Sequence, residues 1–172
     1  GGISTEPIFL TRIEDKNGNV IEIFNPKTRE AIHEQTAFKM IYMLRGGTEE
    51  QGGTSQGLSR DLRIDNEIGG KTGTTNDASD GWYMGLTHDL VTGIWTGGDE
   101  RAIHFPSWLF GQGGKSARPI WDKFMTKVYA DPATGILKGQ FKRPASGLDM
   151  TLDCSKHELS DSLKMFDEEP WD

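Results

Sequence analysis

The sequence predicts an α+β fold in which helices pack on an antiparallel sheet. Three runs rich in β-branched and aromatic residues follow one another over residues 68–96 and are separated by short turns, which is typical of antiparallel strands. Residues 34–45 and 116–128 carry apolar side chains at the three- to four-residue spacing of an amphipathic helix. We therefore expect one helix before the sheet in the chain and one after it.

The composition fits one modest domain or part of one. The chain has 172 residues, of which 34% are hydrophobic, a lean apolar share for a self-sufficient globule. A formal net charge of −7 argues against a nucleic-acid-binding surface, because such a surface needs clustered Lys and Arg. No apolar run reaches the ~18 residues of a membrane span, so we expect any anchor or signal to precede residue 1.

The N-terminal part predicts a β-hairpin, a helix and a loop. Two β-branched and aromatic runs within residues 7–24 flank Asn17-Gly18, the dipeptide that tight hairpin turns prefer. A helix of about three turns follows at residues 34–45, and Gly46-Gly47 predicts its left-handed stop. Residues 46–63 are rich in Gly, Thr, Ser and Gln, a composition that predicts a surface loop.

The three predicted strands cover residues 68–74, 81–87 and 90–96, with a short turn at His88-Asp89 between the last two. Their tryptophans Trp82 and Trp95, like Trp121 in the second helix, are expected to be core or packing residues rather than ligand platforms.

The second helix is expected to pack one apolar face on the sheet. Ser116 or Ala117 would cap it, and Pro119 would lie in its first turn. The apolar positions that repeat at helical spacing are Ile120, Trp121, Phe124 and Val128.

Residues 131–172 form an acidic segment without sustained periodicity, which predicts a C-terminal tail that is frayed or extended over residues 165–172. The single cysteine, Cys154, excludes an internal disulfide and a Cys-based zinc site, and we expect it to pack or stay idle. The scattered histidines make a metal site improbable, and no cofactor is expected. They are His33, His88, His104 and His157.

A stretch rich in glycine and threonine surrounds Lys71 and is the strongest candidate for a functional site. Residues 67–77 read Glu-Ile-Gly-Gly-Lys-Thr-Gly-Thr-Thr-Asn-Asp. Small residues and hydroxyls beside a lysine let a backbone and a positive charge approach an anionic group. A lysine on a Gly/Thr strand can also be a solvated edge residue that discourages sheet-to-sheet pairing, and the motif alone leaves this alternative open.

A nucleotide phosphate is the first anion to consider, because residues 70–72 and 114–116 both look like the end of a Walker A motif. That motif requires a glycine five positions before its last glycine, where this chain has Asp65 and Leu109. Gly73 is moreover a poor residue with which to open the helix that follows a phosphate loop. Nucleotide binding is therefore disfavoured.

Residues 70–77, with the Trp-bearing run 80–87 after them, closely resemble the third active-site motif of penicillin-binding proteins. The resemblance covers roughly residues 2–130 and is to the C-terminal end of the transpeptidase domain of class A, bifunctional members. Other matching segments are Gly2-Ile3, Glu6-Pro7-Ile8, Ile13-Glu14-Asp15, Thr36-Ala37, residues 43–46, residues 117–121 and Phe124-Met125. It implies the C-terminal portion of a penicillin-binding and serine β-lactamase-like transpeptidase fold, with the Lys-Thr-Gly strand at the sheet edge that lines the cleft.

The resemblance implies a peptidoglycan D,D-transpeptidase that binds stem peptides and β-lactams on the periplasmic face of the bacterial inner membrane. Lys71, Thr72 and Thr74 would bind the terminal carboxylate of D-Ala-D-Ala. The Thr74 N–H would point toward the developing oxyanion, and Gly73 has no side chain to block the approach. The catalytic candidates are thus Lys71 and Thr74. The substrate-binding candidates are Thr72, Gly73, Thr75 and Asn76, while Asp77 and Asp80 are expected to cap the turn after the strand.

The nucleophile that this chemistry requires is missing from the chain. No serine is followed by lysine three residues later, as in Ser-x-x-Lys, and the family's second motif, Ser-x-Asn, is absent as well. We therefore expect the chain alone to be inactive and its partner to be the upstream half of the same transpeptidase domain. A noncatalytic scaffold module of the cell-wall synthesis machinery is the alternative, although a pure scaffold has no need for an anion-binding strand.

Overall fold

A computed structural model describes residues 1–152, which form seven strands and four helices together with two 3-10 turns. Met165 to Asp172, Cys154 and His157 lie outside the described residues. The strands are β1 Ile3–Thr5, β2 Arg12–Glu14, β3 Val20–Ile23, β4 Thr28–Glu30, β5 Gly69–Thr74, β6 Asp80–Leu86 and β7 Val91–Gly97. The helices are α1 Glu34–Glu49, α2 Arg60–Arg63, α3 Trp108–Gly111 and α4 Ala117–Ala130, and the 3-10 turns are Asn76–Ala78 and Pro132–Thr134.

The central sheet confirms the three predicted successive strands. It is antiparallel with the order β5-β6-β7, and its register places Gly73 opposite Trp82 and Trp82 opposite Trp95. Within the described sheet β5 is an edge strand. A mixed architecture of helices on an antiparallel sheet is the α+β class that the sequence predicts.

The core lies between this sheet and α4. Ala117, Trp121 and Met125 follow one another at four-residue intervals and are fully buried on the sheet face of the helix. The Trp121 ring meets the Tyr83 ring edge to face, with 5.3 Å between the centroids. A Cβ on Gly85 would collide with the Trp121 indole, so the glycine makes room for that large ring.

The predicted apolar face of α4 is therefore partly wrong. Ile120 and Phe124 are 48% and 42% exposed, because the helix is rotated so that Ala117, Trp121 and Met125 face the sheet. Trp121 is buried as predicted. Trp82 and Trp95 are about half exposed because they project from the sheet face that α4 does not cover.

Helix α1 runs past the predicted stop at Gly46-Gly47 and ends at Glu49. The two glycines lie inside the helix, and a Cβ on Gly47 would come within 2.9 Å of the Gly70 carbonyl oxygen. The small residues therefore allow close packing of α1 on β5 rather than a left-handed turn. At the next residue, the buried Thr48 hydroxyl donates to the Ile68 carbonyl over 2.6 Å.

The predicted surface loop 46–63 is also partly wrong, since it contributes to the core. Ser55, Leu58 and Leu62 are buried, and the short helix α2 lies against α4. The Ser59 N–H donates to the Asp122 carboxylate over 2.6 Å and ties the segment to α4. The composition hides this packing because only two large apolar side chains anchor the segment.

The N-terminal arm, residues 1–33, consists of two separate two-stranded ladders. The predicted hairpin is confirmed as β2–β3, and the Asp15 carboxylate accepts hydrogen bonds from the N–H groups of Asn17 and Asn19 in its turn. The second ladder, β1–β4, in which Ile3 pairs with Glu30, is not predicted by any sequence pattern. No residue of the arm is buried.

Residues 136–146 carry no regular element but are attached to the body of the fold. Glu67 anchors them, since its two carboxylate oxygens bind the Arg143 guanidinium at 2.7 Å and the Phe141 N–H at 2.8 Å. The same carboxylate pairs with Arg45 of α1 at 2.7 Å. Between residues 1 and 152, no helix has the length and apolar character needed to span a membrane.

Candidate functional site

Strand β5 presents different chemistry on its two faces. Cross-strand partners share a face, and Lys71 and Gly73 pair with Met84 and Trp82, which are exposed on the side away from α4. Thr72 and Thr74 alternate with them and lie on the α4 side. The lysine ammonium group and the two hydroxyls therefore flank the strand from opposite faces.

The backbone N–H and C=O groups of β5 point alternately toward β6 and toward the outer edge of the sheet. Contacts with α1 show which of these groups face the outer edge. The carbonyls of Ile68 and Gly70 meet α1, through the Thr48 hydroxyl and the close approach of Gly47. Backbone groups two residues apart in a strand point the same way. The N–H and C=O groups of Thr72 and Thr74 therefore lie on the edge away from β6.

Among residues 1–152, the polar side chains of the strand have few partners. The exposed Lys71 ammonium group donates to the Thr72 carbonyl over 2.6 Å, which brings the charge to the outer edge. The Thr74 hydroxyl accepts the Gly113 N–H over 3.1 Å. Gly73 lies between these residues without a side chain and is partly exposed. Because no other strand between residues 1 and 152 pairs with this edge, the arrangement brings a cation, an open strand edge and a hydroxyl together.

A compact network closes the turn from β5 to β6, and Thr75 is at its centre. The Thr75 hydroxyl accepts the Asp80 N–H at 2.9 Å, and it lies 2.9 Å from the Ser79 hydroxyl. The Thr75 N–H donates to the Asp80 carbonyl at 3.1 Å. Thr75 thus caps the turn that we expected Asp77 and Asp80 to cap. A threonine hydroxyl can serve here because it accepts from a main-chain N–H as an aspartate does.

The two aspartates of this turn have other positions. Asp77 adopts a left-handed conformation with φ of 58°, which a short polar residue tolerates, and Asn76 before it is exposed. Asp80 opens β6, and its carboxylate accepts the Trp95 indole N–H at 2.9 Å. That bond, with smaller contributions from Thr75 and Ser79, lowers the pKa of the Asp80 carboxyl.

Metal binding has no support in residues 1–152, where no three His, Cys, Asp or Glu side chains gather in a group that could hold an ion. His33, His88 and His104 belong to three separate segments, namely the start of α1, the β6–β7 turn and the loop after β7.

Two residues of this region were missed by the sequence reasoning. Gly113 touches β5 from 39 residues away, and Glu67 holds a segment 76 residues further along the chain. A glycine pair before α4 and a lone glutamate before β5 were the available signals. Neither signal identifies its distant partner.

Known proteins with similar sequences identify the family of this chain. No protein-family profile matches the chain. Penicillin-binding protein 1A of Aquifex aeolicus is 33% identical over 130 residues, which cover 74% of this chain and 16% of that protein. Penicillin-binding protein 2D of Bacillus subtilis is 30% identical over 161 residues, covering 81% of this chain and 22% of that protein.

The fold agrees with this relationship. The crystal structure of penicillin-binding protein 1A from Haemophilus influenzae superposes with a TM-score of 0.60 at 26% identity, over 84% of this chain and 25% of that one. The chain belongs to the penicillin-binding proteins and has the fold of part of their transpeptidase domain. It spans about a fifth of the length of the relatives it matches.

Proposed function

We propose that this chain supplies the carboxylate-binding and oxyanion side of a peptidoglycan D,D-transpeptidase site. The observation that carries the proposal is the edge strand β5, in which Lys71 and two threonines surround an edge that no other described strand pairs with. The family relationship supports the reaction class. The nucleophilic serine lies outside this chain, because no Ser-x-x-Lys occurs in it.

The substrate carboxylate would bind at the hydroxyls of Thr72 and Thr74, with Lys71 supplying the positive charge. Hydroxyl donors fix the direction of the carboxylate, and a nearby ammonium group offsets its charge. Lys71 is exposed and already lies at the outer edge through its bond to the Thr72 carbonyl. A carboxylate arriving at this edge would replace that carbonyl as its partner.

The Thr74 N–H would stabilise the oxyanion. An extended stem peptide can pair with the outer edge of β5 as an added strand, since the backbone groups of Thr72 and Thr74 point there. In other acyl-transfer enzymes, loss of one such donor raises the activation barrier by about 3 kcal/mol. Gly73 would let the peptide approach closely.

Thr75 and Asn76, the other two predicted substrate-binding residues, would lie at the periphery of the proposed site. Thr75 holds the turn after β5 through its bonds with Asp80, and the exposed Asn76 lies in that turn beside the proposed site. Asn76 would contact the substrate only from the rim.

In the complete enzyme, the serine hydroxyl would attack the carbonyl carbon of the penultimate D-alanine. The terminal D-alanine would leave as the amine, taking up a proton, and an amine of a neighbouring stem would then displace the serine from the ester. A β-lactam would acylate the same serine. These steps belong to the periplasmic side of the inner membrane, and any membrane attachment would use a segment outside this chain.

The proposed partner is the upstream half of the same domain. The sheet face opposite α4 exposes Trp82, Met84 and Trp95, each at about 45%. A face of this kind next to the proposed site suits contact with the segment that carries the serine.

The test is intact-mass spectrometry after incubation with a fluorescent penicillin. This chain is incubated alone and, in parallel, co-expressed with the Ser-x-x-Lys-bearing segment of a relative such as penicillin-binding protein 1A. We expect no adduct on this chain and an adduct on the upstream segment that depends on this chain being present. Thr74→Val should slow adduct formation, and the matched control Thr126→Val, on the exposed face of α4, should not.

Either of two results would contradict the proposal. An adduct on this chain would place the nucleophile here. An upstream segment that reacts at the same rate with and without this chain would leave β5 without a catalytic role, and a scaffold function would then be the better account.

A further inference from the structure

The strongest unassigned feature beside the proposed site is Gly113, which joins β5 to the start of α4. Its N–H donates to the Thr74 hydroxyl over 3.1 Å. Its carbonyl accepts the N–H groups of Ala117 and Arg118, at 3.1 and 2.8 Å, in the first turn of α4. The N–H of Gly113 thus bonds to the strand and its carbonyl bonds to the helix, so this one residue fixes β5 to α4.

Only glycine fits at this position. Gly113 is buried, and a Cβ on it would collide with the carbonyl oxygens of Gly73 and Trp82, which are cross-strand partners. The neighbouring Gly114 has more room, since its Cβ would lie 3.3 Å from the Thr54 carbonyl and 3.6 Å from Thr72. The close approach at residue 113 is what brings its N–H within reach of Thr74.

We propose that Gly113 is a positioning residue that directs the Thr74 hydroxyl proton toward the substrate carboxylate. This inference rests on the proposed function. A threonine hydroxyl donates one hydrogen bond and accepts others, whereas a main-chain N–H can only donate. The bond from Gly113 therefore uses an acceptor lone pair of Thr74 and leaves the proton available.

The described part of the chain offers that proton no acceptor. Within residues 1–152 the Thr74 hydroxyl makes only the bond in which it accepts from Gly113. Thr74 is exposed at the edge strand, so an incoming carboxylate can accept a hydrogen bond from its hydroxyl. Thr75, the next residue, differs because its hydroxyl is engaged with Ser79 and Asp80. Of these two neighbouring threonines, Thr74 is the one prepared to bind an anion.

The experiment removes the Gly113 N–H without changing the side chain, by replacing that amide with an ester in the full 172-residue chain. The probe is N-acetyl-D-alanyl-D-alanine, titrated by NMR against its neutral C-terminal amide. We expect the ester to weaken binding of the acid about fivefold and to leave binding of the amide form unchanged. The matched control is an ester at Gly139, whose N–H donates to the Asn66 side chain away from the strand.

A second measurement tests the bond itself through hydrogen exchange of the Gly113 amide. Thr74→Val should accelerate its exchange about fivefold or more, and Thr74→Ser, which keeps the hydroxyl, should restore the slow rate. Unchanged exchange in Thr74→Val would overturn the inference whatever the ligand does.

The two proposals fail in different ways. If the unmodified chain prefers the acid over the amide form and the Gly113 ester retains that preference, the positioning role is wrong and the proposed function stands. If the unmodified chain shows no preference for the acid, the proposed function is overturned and the inference falls with it.

Discussion

The N-terminal arm and the sheet with its two long helices differ in how much of their apolar surface is buried. In the arm no residue of 1–33 is buried, Phe9 is fully exposed, and Ile21 and Ile23 are 67% and 64% exposed. In the sheet region Tyr83, Trp121 and Met125 are fully buried. Both regions contain antiparallel strands, but only one has a hydrophobic core.

The difference shows that local turn chemistry sets the shape of the arm, whereas burial stabilises the sheet region. A two-stranded ladder with both faces exposed has little stability of its own in water. Its many exposed isoleucines suit a surface that another segment covers. The proposed site, by contrast, lies on the sheet region, where β5 packs against α1 and pairs with β6.

The largest expected effect tests the core of the sheet region. Trp121→Ala removes the buried indole that fills the space above Gly85 and should destabilise the fold by about 3–5 kcal/mol. Urea unfolding followed by circular dichroism measures this. Trp82→Ala, at 44% exposure, serves as the control and should cost about 1 kcal/mol or less. Equal losses in the two variants would show that α4 is not the centre of the core.

A smaller effect is expected where the C-terminal segment is attached. Glu67→Gln removes the carboxylate that Arg45 and Arg143 share and leaves Arg45 only its exposed partner Glu49. It should cost about 3 kcal/mol, because the pair of Glu67 with Arg45 is largely buried. The Phe141 amide should also exchange faster. Glu49→Gln is the matched control, since Glu49 pairs with the same Arg45 but is 47% exposed, and should cost at most about 1 kcal/mol. Equal losses of unfolding free energy in Glu67→Gln and Glu49→Gln would mean that Glu67 does not anchor the segment.

The turn beside the site should respond to acid. The Trp95 indole lowers the pKa of Asp80, so the ionised carboxylate favours the folded turn. This contribution is present above the ordinary aspartate pKa and is lost as the pH falls through the lowered value. The Trp95 indole N–H resonance should therefore shift with a midpoint below that of an unperturbed aspartate, and Asp80→Asn should abolish the transition. A midpoint at or above the ordinary aspartate pKa would contradict the hydrogen bond between the Trp95 indole and Asp80.

The smallest effect is expected in the arm. Ile21→Lys places a charge on an exposed strand and should change the free energy of unfolding by less than about 0.5 kcal/mol. Ile68→Lys is the matched substitution in the sheet region, where the side chain is 2% exposed, and it should destabilise the fold by about 3 kcal/mol. Chemical denaturation of both variants compares the regions directly. A large loss from Ile21→Lys would show that the arm contributes to the core.

Much of the fold and the motif at the site were predictable, because they depend on neighbours in the sequence. Asn17-Gly18 predicts the hairpin, and the run around His88-Asp89 predicts two strands and their turn. The errors fall where distant contacts decide. Gly46-Gly47 is typical of a helix end, but here the two glycines allow α1 to pack closely on β5. Ile120 fits the apolar spacing of a core residue, but the rotation of α4 leaves it exposed.

By itself the sequence determined that Lys71, Thr72 and Thr74 lie on one strand of an antiparallel sheet, since strand periodicity and turn residues act over short distances. Only the tertiary structure decided that the face with the two hydroxyls is the one turned toward α4, and that Gly113 supplies the Thr74 hydroxyl with a donor. These features depend on contacts between residues far apart in the chain, and no local pattern encodes which distant backbone group will meet a given side chain.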